Sequence, residues 1–222
     1  MTTIWRALVV LLPWVLRRSV LRALYGYELH ARSRIGLAWV FPRKLVMGDG
    51  ATIGHLTVAK GMDLLELGAG ASIGRLNWLG AFPTGTASGH FAHLTTRRPA
   101  LVLGEQAAIT HRHLIDCTEL VEIGRFTTVA GFRTQILTHA IDLQLCRQDA
   151  KPVRIGAYCF VGTACTILPG AVLPDCSVLG AQALLNKAHT EPYRLYAGVP
   201  ATAVATIDAS DRYFTRAEGY VI

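Results

Sequence analysis

Histidines are the side chains here best suited to moving a proton at neutral pH, and His139 stands apart from the rest because it interrupts a regular apolar pattern. An imidazole with an ordinary pKa of about 6.5 can take a proton from a reacting hydroxyl under those conditions. His139 is therefore a candidate general base on an exposed loop beside a groove. Asp142 is close enough in sequence to orient the ring, and is equally readable as a solvated loop carboxylate. His111, His113 and Asp116 form a second polar cluster. Residues at i and i+2 of a strand share a face, so the two imidazoles would line one surface. No serine or cysteine stands in a recognisable nucleophile setting, which points to direct attack rather than a covalent enzyme intermediate. The five cysteines, Cys117, Cys146, Cys159, Cys165 and Cys176, contain no C-x-x-C pair, and their odd number leaves one without a disulfide partner. Free thiols in a reducing compartment are expected.

The elements that must position these groups show in a repeat. From Ile155 onward aliphatic residues return at every sixth position: Ile155, Val161, Ile167, Leu173, Leu179 and Leu185. Four positions after each of the first five comes a small residue: Cys159, Cys165, Ala171, Ser177 and Ala183. Such a unit is one short strand plus a tight corner. Three units make a triangular coil of about 18 residues, stacked on the next at about 4.8 Å by parallel pairing. The fold class is thus an all-β solenoid, a parallel β-helix with three inward aliphatic columns. Ile155 should stack on Leu173, Val161 on Leu179, and Ile167 on Leu185. Small residues and glycines serve the corners, which gives Cys159 and Cys165 a structural reading. The phase continues upstream through Met47, Ile53, Leu67, Ile73, Leu79, Leu103, Ile109, Ile115, Ile123 and Val129. Residues 82–99, rich in Gly, Thr, Ser and His, read as a surface loop. A second loop, near 137–152, carries His139. Gln135 falls on the aliphatic position, and the repeat is not expected to recover before Ile155.

The ends of a solenoid need caps. Residues 1–44 are expected as an N-terminal helical, membrane-proximal segment, 45–187 as the β-helix, and 188–222 as an irregular C-terminal cap with a loosely held tail. The apolar run 7–16 contains Pro13 and is flanked by Arg6, Arg17, Arg18 and Arg22. It falls short of the roughly 20 residues of a spanning helix, and no cleavage site follows it. Residues 1–25 would either lie on an anionic membrane surface or cap the solenoid. With 51% hydrophobic and 17% charged residues the chain is not disordered. Its length suits one main domain, and its net charge of +7 favours acidic partners.

The aliphatic-Gly-x-x-small-x unit, Thr138-His139 with Asp142, and the closing stretch Tyr196-Ala197-Gly198-Val199-Pro200-Ala201 together resemble the hexapeptide-repeat acyltransferases. Most similar are the O-acetyltransferases of polysaccharides, nodulation factors and galactosides. The resemblance implies a left-handed β-helix, a handedness that the usual right-handed crossover would not predict. It also implies a homotrimer with clefts between subunits, acetyl-CoA as acyl donor, no metal, and a saccharide or lipid-linked glycan acceptor in cell-surface polysaccharide biosynthesis. Cytoplasmic placement is expected from the free thiols, peripheral on the inner membrane if residues 1–25 lie on its surface, with no nucleic-acid partner. Carried over by position, Gly162, Gly180, Ala181, Lys187, Gly198, Pro200 and Ala201 resemble CoA-binding residues. The glycines are equally accounted for by repeat architecture, and Thr202 to Ala205 stand where the family often has a basic residue. Asn77, Trp78, His111, His113 and Asp116 would meet the acceptor. Trp78 would stack on a sugar or simply pack on the surface. Two other readings use the same fold: a γ-carbonic-anhydrase-like hydratase holding zinc through His111, His113 and His139, and a non-catalytic scaffold.

Overall fold

The computed structural model describes residues 3–221. Their strands form a three-faced solenoid in which every neighbouring pair along a face is parallel until the C-terminal closure. Among the described residues seven coils are complete. The first face runs from Glu28–Leu29 to Val172–Leu173. The second runs from Arg34–Ile35 to Val178–Leu179, and the third from Trp39–Phe41 to Leu184–Leu185. Register agrees with the hexapeptide spacing: Ile155 pairs with Leu173, Val161 with Leu179, and Ile167 with Leu185. All six are buried, and with their upstream equivalents they fill the prism. The fold is a left-handed parallel β-helix.

Coils are not all of one length. Met47 pairs with Leu67 and Leu103 with Ile123, a step two residues longer than at the C-terminal end. The extra residues lengthen the first-face strands, which bury aliphatics at i and i+2: Leu45 and Met47, Leu65 and Leu67, Leu101 and Leu103, Val121 and Ile123. Gln135 is exposed because one added residue moves the inward position to Ile136, which pairs with Ile167. The repeat therefore recovers before Ile155. The solenoid also starts earlier than residue 45, since Glu28–Leu29, Arg34–Ile35 and Trp39–Phe41 already form a coil. It runs past residue 187: Arg194–Ala197 extends the second face, and Thr202–Thr206 closes it antiparallel.

Glycine has two roles at the corners: Gly50, Gly70 and Gly170 take the expected positive φ, between 67° and 82°, but larger residues do so as well. Leu56, Leu76, Arg112, Arg133, Ala164 and Gln182 take the left-handed conformation, with φ between 56° and 63°. The glycine after each inward aliphatic is instead a point of contact between coils. A Cβ on Gly124 would lie 2.4 Å from the Ala157 nitrogen. The small residues at the next corner position are buried and hydrogen-bonded to the adjoining coil. Thr134 Oγ1 donates to the Gly162 carbonyl, and the Cys165 thiol to that of Gly180 at 3.1 Å.

Both ends are covered. Helix α1 (Thr3–Leu11) and helix α2 (Trp14–Tyr25) pack Val9 and Leu21 against the first coil. Buried Arg17 donates from Nη1 to the Gly36 carbonyl and from Nη2 to that of Ala38, both at 2.7 Å. The C-terminal tail is tied down rather than loose. It folds back over the second face, where Tyr213 donates to the Cys159 carbonyl at 3.0 Å and the Gly219 N–H to Gln106 Oε1 at 2.9 Å. Arg216 donates to the Phe126 carbonyl and stacks over Tyr213.

The corner contact gives a stability test. Gly124→Ala forces the next coil away and should cost about 1–3 kcal/mol in chemical denaturation. Gly89→Ala, where a Cβ would meet nothing within 4 Å, should leave the midpoint unchanged.

Candidate active site

Two loops leave the solenoid at the same corner, between the third and first faces. One spans 81–99; the other is an antiparallel hairpin of His139–Asp142 and Arg147–Ala150. Each follows a third-face strand, and the strand Leu114–Asp116 lies between them. Parallel stacking therefore brings residues far apart in sequence to one edge. Asp116 ends its strand pointing outward, with its side chain 13% exposed, and its Oδ2 lies 2.8 Å from His139 Nδ1.

This pair is the most chemically organised group of the corner. Asp116 Oδ2 also accepts from the Thr138 N–H at 2.9 Å and from the Thr138 hydroxyl at 2.7 Å, while Oδ1 accepts from the Thr118 hydroxyl at 2.6 Å. Burial alone would raise the Asp116 carboxyl, but the bonds from His139, Thr118 and Thr138 outweigh it and bring it down to about 2. An ionised carboxylate can only accept, so His139 Nδ1 carries the proton and Nε2 keeps its lone pair. The same bond raises the His139 pKa, with burial opposing it. The imidazole remains 42% exposed. Its ring meets the edge of Phe91 from the first loop, centroids 5.9 Å apart. Buried Arg97 stacks under Phe91 at 4.8 Å and donates to the Thr118 carbonyl at 2.6 Å, fastening that loop to the coil bearing Asp116. A cavity of about 300 Å³ opens between loop and hairpin, lined by His90, Phe91, His93, Ile141 and Arg147 among others.

The expected partner of His139 is thus replaced. Asp142 Oδ1 accepts from the Gln144 and Leu145 N–H groups and shapes the hairpin turn. Asp116 moves from the acceptor cluster to the imidazole. Of the other residues expected at the acceptor, Trp78 is 48% exposed on the outer third face under Lys60 Nζ, and its strand neighbour Gly80 pairs with Asp116. Asn77 is buried instead: it donates to the Thr110 carbonyl at 2.9 Å and accepts from the His113 N–H. His113 is buried too, accepting at Nδ1 from the Thr134 N–H, and burial followed by the charge of His111 lowers its pKa to about 4. His111 accepts from the Arg75 N–H at the opposite corner of the third face. The two imidazoles share no strand face because Arg112 between them turns the corner at φ 58°. His111, His113 and His139 are accordingly not brought together, and no three-residue metal-binding group occurs among the described residues.

The residues expected at CoA divide likewise. The Gly162 N–H donates to the Leu179 carbonyl and that of Gly180 to Tyr196, while Ala201 is buried with its N–H on the Leu184 carbonyl. Their backbone donors are used in closing coils, which leaves Ala181, Gly198 and Pro200 exposed at the corner between the second and third faces. Lys187 is exposed at the other corner, on the edge that carries His139 two coils away. Phe91, Arg97 and Thr118 carry no signal in the sequence, whereas Thr138 belongs to the motif around His139. The first two lie in a loop without periodicity.

No protein-family model matches the sequence, and a comparison with curated proteins finds no match. Solved structures do. The polysialic acid O-acetyltransferase OatWY superposes with a TM-score of 0.59 at 16% identity, over 84% of this chain and 90% of that one. AntD, an N-acyltransferase from Bacillus cereus solved with dTDP and coenzyme A, gives 0.52 at 13% identity, over 82% and 84%. At such identities the likeness establishes the fold.

The His139 and Asp116 pair predicts opposite pH responses. The raised His139 pKa contributes stability that is complete below its unfolded value and lost as pH rises through the folded one. The depressed Asp116 pKa contributes stability above its ordinary 3.8, lost as pH falls towards about 2. In an NMR titration His139 should titrate above 6.5, and Asp116→Asn should bring it down; an unmoved pKa would show that the ring does not sense this carboxylate.

Proposed function

We propose that this chain is an O-acetyltransferase that moves an acetyl group from acetyl-CoA to a saccharide hydroxyl, with His139 as general base and Asp116 as the residue that positions it. The observation carrying this reading is the 2.8 Å contact that fixes the imidazole with Nε2 free at a corner framed by two loops. The name and fold of OatWY support the reaction class, and the coenzyme A complex of AntD supports the donor. The thioester supplies the activated acyl group. His139 Nε2 takes the proton of the acceptor hydroxyl as its oxygen bonds to the acyl carbon, and the imidazolium is stabilised by the Asp116 carboxylate. As the carbon–sulfur bond breaks, the same proton is available to the departing thiolate, so the base ends neutral. Exposed Lys187 on the same edge, which makes no ion pair among the described residues, suits a phosphate of the donor, and Trp78 offers an aromatic face to a sugar ring. A homotrimer would complete the donor cleft by setting the Ala181, Gly198 and Pro200 corner of one subunit against the His139 edge of another.

Purified protein incubated with acetyl-CoA and candidate saccharides, with products read by mass spectrometry, tests the activity. His139→Ala should lower kcat by about 10²–10⁴-fold while acetyl-CoA binding survives; equal turnover would remove this imidazole from the mechanism. Asp116→Asn should lower kcat and move the rising limb of the pH profile to lower pH. Asp142→Asn should stay close to wild type, since Asp142 serves the turn alone.

A further inference from the structure

The two N-terminal helices do more than close the first coil. Outward from Val9 and Leu21, the residues Ile4, Leu8 and Leu11 of α1 are 75%, 55% and 72% exposed, and α2 adds Val15, Leu16 and Leu24. Ile4, Leu8 and Leu11 follow the i, i+4, i+7 spacing of one helical stripe. Capping the solenoid does not require any of them, because Val9, Arg17 and Leu21 make the buried contacts. The charge is as uneven as the hydrophobicity. Of the 22 basic and 15 acidic residues in the chain, eight basic and one acidic fall in residues 1–44, leaving 14 of each in the remainder. The whole net charge of +7 therefore resides in the segment that carries the exposed apolar stripe. Arg18, Arg22, Arg32 and Arg34 converge on one concavity of about 530 Å³ with Val15 and Ser19. Arg32 is paired to Asp49, and Arg22 and Arg34 make no ion pair among the described residues.

From this coincidence we infer that the α1–α2 end of the solenoid docks on an anionic lipid surface, the apolar stripe entering the acyl boundary and the arginine concavity receiving lipid phosphates. Among the described residues no helix is long and apolar enough to cross a membrane, so the geometry is that of a helix pair lying in the interface. Arginine supports it twice, through its charge and through a stem that stays apolar below the headgroup level. A second copy of this chain suits the surface poorly, because a symmetric contact would set the excess charge of one copy against that of another. Docking in this way orients the solenoid axis towards the bilayer, with the His139 corner several coils from it.

The test is co-sedimentation of the full chain with vesicles of phosphatidylcholine alone and of phosphatidylcholine mixed with phosphatidylglycerol. We expect binding to the mixed vesicles and much weaker binding to the neutral ones. Arg22→Gln with Arg34→Gln should weaken it about fivefold per arginine, and added salt should do the same. Leu8→Asn with Leu11→Asn should abolish it while the circular dichroism spectrum and melting midpoint change little, because both side chains are more than half exposed and the buried contacts are made by Val9, Arg17 and Leu21. Absence of binding to either vesicle, or binding undiminished in both variants, would overturn the inference. So would concentration-dependent self-association lost in Leu8→Asn with Leu11→Asn, which would assign the stripe to a second copy. Inorganic phosphate competing as well as phosphatidylglycerol vesicles would reduce the concavity to a phosphate site and also overturn it. None of these outcomes depends on acetyl transfer.

Discussion

The spacing of a parallel backbone ladder, about 4.8 Å between coils, is the constraint from which the other features follow. Each coil must sit on the next over all three faces, so nothing at a corner can exceed that spacing. Gly124, Gly156 and Gly162 have no room for a Cβ because the next coil's backbone or side chain is already there. The residues that turn the chain, such as Leu76 and Arg112, point away from the stack and can be large. Inside the prism the same spacing stacks like on like, aliphatic on aliphatic, and the column excludes water without helices to cover it.

A ladder this regular also dictates where chemistry can sit. Inward positions are committed to the core and corner positions to hydrogen bonds between coils, as Asn77, His113 and Thr134 illustrate. A polar side chain is free for other work only on an outer face or where the chain leaves the ladder. Asp116 and His139 meet both conditions, the first on the outer face at the end of a strand and the second on the first residue of a hairpin. Their meeting costs little extra order, because the coils that hold them are fixed by pairing.

The regularity explains what the sequence shows and what it hides. Six aliphatics from Ile155 to Leu185 reveal the coil length and three correct stacking pairs, since nothing interrupts them. The step from Val129 to Ile136 hides the next column behind Gln135, because one inserted residue is absorbed at a corner without disturbing the pairing to Ile167. His139 was legible as a candidate site residue because it breaks the pattern. Its partner was not: proximity along the chain favours Asp142, whereas proximity in a solenoid favours the residue one coil earlier, which is Asp116. The pairing of Ile115 with Ile136 contains that information once the insertion is recognised. Phe91 and Arg97 have no such signature, being placed by a loop whose path is set by stacking and by hydrogen bonds to carbonyls such as that of Thr118.

The same logic separates histidines of one residue type into different roles. His113 occupies the small corner position, where both ring nitrogens have partners and burial keeps the ring neutral to low pH. A ring in that setting stabilises a corner and has no lone pair to offer a substrate. His139 has one nitrogen held by a carboxylate and the other exposed, which raises its affinity for a proton and leaves a place to receive one. The difference lies in whether Nε2 already has a partner, as Thr110 of the same corner supplies for His113, and in a stacked fold that depends on whether the residue lies within the ladder or just beyond it.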